Sequence, residues 1–217
     1  MKIIRRPPEE GITRITVAGY KSIEQEQSVE IRPLTILAGA NSSGKSSLMQ
    51  PLLLLKQTLE AAYDPGALLL NGPNVKFTSF DQLLSSIGKG KRASSFRIGI
   101  EAITMETEQG EGHNGEYIEW EIPSTDAIEI SFGRQSQSGF DVQQITYRDY
   151  EKHKQVTLRS NMSEAEIAGA FLDYFDEEEL KNELREKAND QAKSSISARL
   201  SIDRERCYLV VQGVSGQ

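Results

Sequence analysis

One segment of this 217-residue sequence restricts the fold more than any other, and we call it the glycine loop: residues Gly39–Ser46, GANSSGKS. It fits the pattern G-x-x-x-x-G-K-[ST] at every position. The run LTILAG over residues 34–39 is continuously apolar, which predicts a strand buried on both faces. A leucine-rich segment follows, so a helix is expected from Lys45 to about Ala62. The sequence therefore predicts a strand, a tight loop and a helix in direct succession.

The expected helix carries an apolar stripe. Four of the leucines in the helix follow one another at spacings that place them on one helical face. They are Leu48, Leu52, Leu55 and Leu59. Pro51 lies within the same segment and is expected to kink the helix or to remove one of its hydrogen bonds.

The glycine loop predicts a phosphate-binding site. Gly39 and Gly44 permit the backbone angles and the close approach that a side chain would block. The first N–H groups of the helix and the positive end of its dipole point towards the same anion. Lys45 is expected to reach the β- and γ-phosphates, where it is the candidate catalytic residue, and Ser46 to ligate Mg²⁺. The residues expected to contact the nucleotide are Gly39, Asn41, Ser42, Ser43, Gly44, Lys45, Ser46 and Ser47. The alternative is a glycine-rich turn that binds nothing.

The remaining pattern is mostly that of strands. Strands are expected at residues 12–18, 28–32, 95–103, 116–122, 126–132, 140–147, 155–160, 196–203 and 207–214, and helices at 79–88 and 163–192. Those between 94 and 160 alternate apolar and polar residues and are separated by polar turns, which is typical of an antiparallel meander. Ser163 and Glu166 form a capping box at the start of the second long helix. Trp120 is interpreted as a packing residue.

Composition narrows the class of protein. The formal net charge of -7 argues against a surface that binds nucleic acid over its whole extent, because phosphate contacts need clustered positive charge. One cysteine, Cys207, cannot form an internal disulfide and is interpreted as a core residue, and the sequence has no signal peptide or membrane-spanning apolar run. A cytoplasmic location and no membrane partner are expected.

The N-terminal third resembles the ATPase head of the SMC/RecF/OLD-like group within the ABC ATPase superfamily, including bacterial AAA-family ATPases tied to phage defence. The resemblance rests on the turn GYKSI (Gly19–Ile23) and on LTILAGANSSGKSSLMQPLLLLKQ. It implies an α/β P-loop NTPase fold: the N-terminal lobe of an ABC-ATPase head, with a parallel or mixed core sheet beside the antiparallel meander. It also implies ATP and Mg²⁺ as cofactors, a homodimer closed around nucleotide, and Lys21 and Ser22 as secondary nucleotide contacts.

The resemblance further implies a glutamine that touches Mg²⁺ and the attacking water. Gln82 is the candidate by position, and Gln50 and Gln57 remain open. The sequence has no strand ending in Asp-Glu and no complete signature motif, both of which such heads use for hydrolysis. We therefore expect a single, incomplete head, with a P-loop core at about 12–88, the meander at about 94–160, and an acidic helix and final strands at about 163–214. A missing C-terminal half or a partner chain would complete it, and a naturally split protein is the second explanation.

Two functions from different classes remain after the sequence has been considered. The first is an ATPase whose hydrolysis drives rearrangement of a dimer or partner, in DNA repair or phage defence, with nucleic acid left open as a partner. The second is a non-hydrolysing module in which bound nucleotide holds subunits together. A GTPase switch is disfavoured because the sequence has no Asn-Lys-x-Asp motif.

Overall fold

The fold is taken from a computed structural model, which describes residues 10–41, 43–88, 90–111, 116–135, 139–174 and 198–215. Its strands and helices in chain order are β1 (Gly11–Ala18), β2 (Gln27–Glu30), α1 (Lys45–Leu59), β3 (Ser95–Glu111), β4 (Tyr117–Gln135), β5 (Gly139–Asp149), β6 (Lys154–Arg159), α2 (Glu164–Tyr174), β7 (Ala198–Glu205) and β8 (Tyr208–Ser215). A single 3-10 turn, Phe80–Gln82, lies between α1 and β3.

Six strands form one sheet in the order β2-β1-β3-β4-β5-β6, and every pair is antiparallel. The predicted antiparallel meander is therefore confirmed. The predicted parallel or mixed core sheet is wrong for the residues that the structure describes. β1 and β2 pair with each other and β1 continues onto β3, so the N-terminal strands extend the meander instead of starting a second sheet.

The expected buried strand over residues 34–39 is not present. The segment has no strand assignment, and the side chains of Leu34 and Ile36 are 79% and 77% exposed. An isolated extended segment gains neither ladder hydrogen bonds nor cross-strand packing, so apolar composition alone cannot make it a strand. None of the described strands pairs with this segment.

The two strands expected at 116–122 and 126–132 are one continuous strand, β4. It pairs with the whole length of β3, from Ser95 opposite Gly133 to Glu111 opposite Tyr117. Pro123 lies inside β4, opposite Met105, and does not end the strand. Because β3 also runs past its predicted end at Ile103, the β3–β4 hairpin is much longer than the sequence pattern indicates.

The core lies between one face of the sheet and the segment from α1 to the 3-10 turn. Phe96 and Phe132 stack at a centroid distance of 5.1 Å, and Tyr20 meets Phe96 edge-on at 5.4 Å. These three rings are at most 1% exposed. They fix the start of β3 against the turn that follows β1.

The buried face of α1 is offset from the predicted leucine stripe. Leu54 and Leu55 are buried, whereas Leu59 is 40% exposed. The other buried residues of α1 are Ser47, Pro51, Gln57 and Thr58. The helix continues through Pro51. Polar residues share the buried face because the segment that packs on it presents backbone groups to be hydrogen-bonded.

The turn of the β7–β8 hairpin contacts the C-terminal end of α1. In this turn, Arg206 donates to the carbonyl oxygens of Thr58 (3.4 Å), Leu59 and Ala61 (3.0 Å). The carbonyls of Thr58 and Leu59 belong to the last turn of α1, which leaves them without a partner inside the helix. Cys207 beside it is fully buried, and burial raises the pKa of its thiol to about 11. The interpretation of Cys207 as a core residue is confirmed.

The helix expected over 79–88 is reduced to the 3-10 turn. The capping box of α2 is confirmed: the Ser163 N–H donates to Glu166 Oε2 at 2.8 Å, and the Glu166 N–H to Ser163 Oγ at 3.4 Å. Of the helix expected over 163–192, the part after Tyr174 lies outside the described residues.

Candidate functional site

The glycine loop leads directly into α1, whose N-cap is Gly44. Gly44 has φ of 92°, and a Cβ added there would lie 3.1 Å from Ser22 Oγ. Gly39 has φ of 154°, and its Cβ would lie 2.9 Å from Ser43 Oγ. Both positions therefore require glycine, as the phosphate-loop pattern predicts.

The Lys45 ammonium lies in the mouth of the glycine loop. Its Nζ donates to the carbonyl oxygens of Gly39 and Ala40, each at 2.7 Å, and to Ser43 Oγ at 3.3 Å. The lysine side chain thus folds back over the loop that precedes it. The positive charge of Lys45 therefore lies within hydrogen-bond distance of the loop backbone. An anion bound to that backbone would also contact the ammonium.

The turn Gly19–Ile23, which follows β1, packs against the first two helical turns of α1. The backbone groups of Tyr20 and Ile23 hydrogen-bond each other at 2.9 and 2.7 Å. Ser22 Oγ donates to Ser47 Oγ at 3.0 Å. Ser22 therefore lies at the start of the helix although it is 25 residues away from Ser47 in sequence.

Lys21 is held in a defined place on this turn. It adopts a left-handed backbone conformation with φ of 48°, and its N–H donates to Leu83 O at 2.8 Å. Its ammonium donates to Gln50 Oε1 at 2.9 Å and lies 4.7 Å from the centroid of the Phe77 ring. Burial lowers the pKa of the Lys21 ammonium. The amide oxygen and the ring face both stabilise its charge.

These groups surround one cavity of about 380 Å³, which we call the anion cavity. It is lined by Lys21, Ser22, Asn41, Ser43, Gly44, Lys45, Ser46 and Ser47. Two ammonium groups and the N-terminus of a 15-residue helix face it, and these lining residues include no carboxylate. Such a site is suited to an anion that carries several charges. A wider cleft of about 840 Å³ adjoins it, lined in part by Ile36, Glu24 and Leu48.

Eight of the expected site residues thus line this cavity, and a ninth, Gly39, lines the adjoining cleft. Ser42 lies outside the described residues. Gln82 is not among those that line the cavity. Its side chain accepts from the Thr78 N–H at 3.0 Å and donates to Thr78 Oγ1 at 2.9 Å. Gln50, one of the two other glutamines considered, contacts the site through Lys21.

Gln57, the third glutamine, has a structural role. Its side chain is buried, and Oε1 accepts from the N–H groups of Asn74 (3.1 Å) and Val75 (3.0 Å). Its Nε2 donates to the carbonyl oxygens of Leu69 and Val75. Gly72 packs so closely that a Cβ there would lie 2.5 Å from the Gln57 amide. Sequence spacing gave no indication of this role.

Within the part of the chain that the structure describes, no group of three or more His, Cys, Asp or Glu side chains is placed to hold a metal ion. The Ser46 hydroxyl lines the anion cavity. One hydroxyl fits Mg²⁺, which keeps several waters and takes further ligands from phosphates. The donor set therefore fits a magnesium ion that arrives with a nucleotide.

Comparison with known families assigns the class of protein. The AAA ATPase domain family matches residues 11–206, nearly the whole chain. The chain belongs to this family of ATPase domains, which confirms the expectation of an AAA-family ATPase. No curated protein and no solved structure gives a significant match.

No helix among the described residues is long and apolar enough to cross a membrane.

Proposed function

We propose that this chain binds ATP–Mg²⁺ in the cavity at the start of α1, as the N-terminal part of an ATPase head of the SMC/RecF/OLD-like group. In this proposal Gly39–Ser46 is a Walker A loop. Lys45 neutralises the β- and γ-phosphates, Ser46 ligates Mg²⁺, and Lys21 and Ser22 make secondary contacts. Hydrolysis would drive rearrangement of a homodimer or of a partner chain, in DNA repair or phage defence.

One observation carries the proposal: two lysines, a glycine loop and a helix N-terminus converge on one cavity with no carboxylate in its lining. Loop N–H groups and the helix dipole favour the phosphates, and the lysines offset charge at their far end. A bound Mg²⁺, held in part by Ser46, would supply positive charge that offsets the negative charge of the phosphates. The residues of this chain orient the phosphates, and the turn with Lys21 and Ser22 covers one side of them.

A second function is favoured by a specific observation. The described lining residues supply no acid to hold Mg²⁺ or to orient the attacking water. Binding without turnover is then the outcome for this chain by itself, and nucleotide would act by holding subunits together. A carboxylate from a second chain or segment would restore hydrolysis.

Phosphate release at saturating ATP separates the two functions. Release that Lys45→Ala abolishes supports the ATPase. ATP binding measured by calorimetry without any phosphate release supports the module. Failure to bind ATP at all would contradict both, and with them the proposed Walker A loop.

Ser46→Ala tests the metal ligand. Since the hydroxyl is proposed as a ligand of Mg²⁺, the factor by which Mg²⁺ raises ATP affinity is expected to fall by about tenfold. Affinity measured by calorimetry in EDTA is the control and should match that of wild type. Unchanged magnesium dependence would exclude this role for Ser46.

Gln50 and Lys21 are tested together by a double-mutant cycle. Gln50→Ala removes the acceptor that holds the Lys21 ammonium, and Lys21→Ala removes the charge, so each should weaken ATP binding by about fivefold. The double variant should be no weaker than Lys21→Ala, because Gln50 acts through Lys21. Met49→Ala, at an exposed neighbouring position of α1, serves as the control. Additive losses in the double variant would contradict the positioning role.

A further inference from the structure

The outer part of the β3–β4 hairpin extends beyond the rest of the sheet. β1 pairs with β3 only as far as Ile103, and β5 pairs with β4 only from Asp126. Beyond these points Thr104–Glu111 and Tyr117–Ser124 pair with each other, and no other described strand adjoins them. We call these two segments the arm. At about 3.4 Å per residue it is about 25 Å long.

One face of the arm continues the core-facing side of the sheet. Ile98 of β3 is buried on that side, and alternate residues of β4 towards the tip are Ile122, Trp120 and Ile118. Ile118 and Trp120 are 50% and 43% exposed. The Trp120 ring lies across Gly110, where an added Cβ would lie 2.6 Å from it. The interpretation of Trp120 as a packing residue therefore holds for one side of the ring only.

Carboxylates lie beside this apolar row. Trp120 is opposite Glu108 and Ile122 is opposite Glu106, so each pair shares one face of the arm. Glu106 interacts electrostatically with Lys152 near the base of the arm. Residues 104–125 contain six Glu and no Lys or Arg. An apolar row and an acidic row, about 5 Å apart, run side by side along the arm.

We propose that this face of the arm docks a basic amphipathic helix of a protein partner. Apolar side chains of the helix would cover Ile118, Trp120 and Ile122, and its Lys or Arg side chains would meet Glu106 and Glu108. A basic helix is the expected partner because its positive charges complement the carboxylates of the acidic row. Phosphates of nucleic acid are repelled by the acidic row. A second copy bound by the same face would set carboxylates against carboxylates. The surface is independent of the anion cavity.

Trp120 is the sole tryptophan of the sequence, so its fluorescence reports on this surface directly. The probe is a synthetic 18-residue peptide with leucines at helical spacing and lysines elsewhere. Its binding should move the Trp120 emission to shorter wavelength, and added salt should weaken that binding. A peptide with glutamates in place of the lysines should produce no change.

Matched charge reversals locate the contact. The variant with Glu106→Lys and Glu108→Lys alters the apolar face, and the variant with Glu119→Lys and Glu121→Lys alters the opposite face by the same net charge. The first should bind the lysine peptide about tenfold more weakly and the second within about twofold of wild type. Circular dichroism checks that both fold.

Equal weakening, an equal response to the glutamate peptide, or no emission change with the lysine peptide would overturn the proposal. An emission change with phosphatidylcholine vesicles would assign the face to a membrane and overturn it as well.

Discussion

Lys45→Ala is expected to weaken ATP binding by about 30- to 150-fold while the fold is retained. The ammonium lies beside the carbonyl oxygens of the glycine loop. Its loss removes the proposed hydrogen bonds to the charged phosphates, worth about 2–3 kcal/mol. Alanine is a strong helix former, so α1 should begin at the same place. Calorimetric titration with ATP–Mg²⁺ measures the affinity.

Lys56→Ala is the matched control, because it removes the same charge from an exposed position of the same helix. Lys56 pairs with Glu60 on the surface, and this substitution should leave ATP affinity within about twofold of wild type. If Lys45→Ala bound ATP as tightly as Lys56→Ala does, the anion cavity would not be the nucleotide site.

Gln57→Ala is expected to lower the free energy of unfolding by about 2–4 kcal/mol. The substitution leaves two backbone N–H donors and two carbonyl acceptors without the partner that they have in the native structure. These groups belong to the segment that follows α1, so its packing against the helix should loosen. Urea denaturation at fixed protein concentration gives the change in midpoint and slope.

Two further variants separate hydrogen bonding from size. Gln57→Glu keeps the volume but faces an oxygen towards the carbonyls of Leu69 and Val75, so it should destabilise at least as much as Gln57→Ala. Gln82→Ala, at an exposed glutamine, should change stability by less than about 0.5 kcal/mol. Similar midpoints for Gln57→Ala and Gln82→Ala would show that the Gln57 network contributes little.

The sequence predicted those parts of the site whose residues are close together along the chain, and not those that depend on contacts between distant segments. Gly39, Gly44 and Lys45 act within one short loop, so their spacing alone predicted a phosphate-binding geometry. The contacts Ser22–Ser47 and Lys21–Gln50 join segments far apart in sequence, and only the family resemblance pointed to Lys21 and Ser22. Spacing did not decide among the three glutamines, because the contacts of each are set by the segments that pack against it.

The same distinction holds for the fold. Alternation predicted where the strands of the meander lie, since each has a neighbour along the chain with which to pair, but it missed the full length of β3 and β4. Residues 34–39 have the composition of a buried strand but no described strand beside them, and composition cannot supply a partner. The joining of two predicted strands into β4 follows from continuous pairing with β3 between Tyr117 and Gly133.

By itself the sequence determined the glycine loop, the helix that follows it and the antiparallel pairing of neighbouring strands. All of these depend on contacts between residues close together along the chain. Only the tertiary structure decided which lysine, serine and glutamine lie beside the loop, which face of α1 is buried, and how far the arm extends beyond the sheet. Those features depend on packing between distant segments, which residue spacing does not encode.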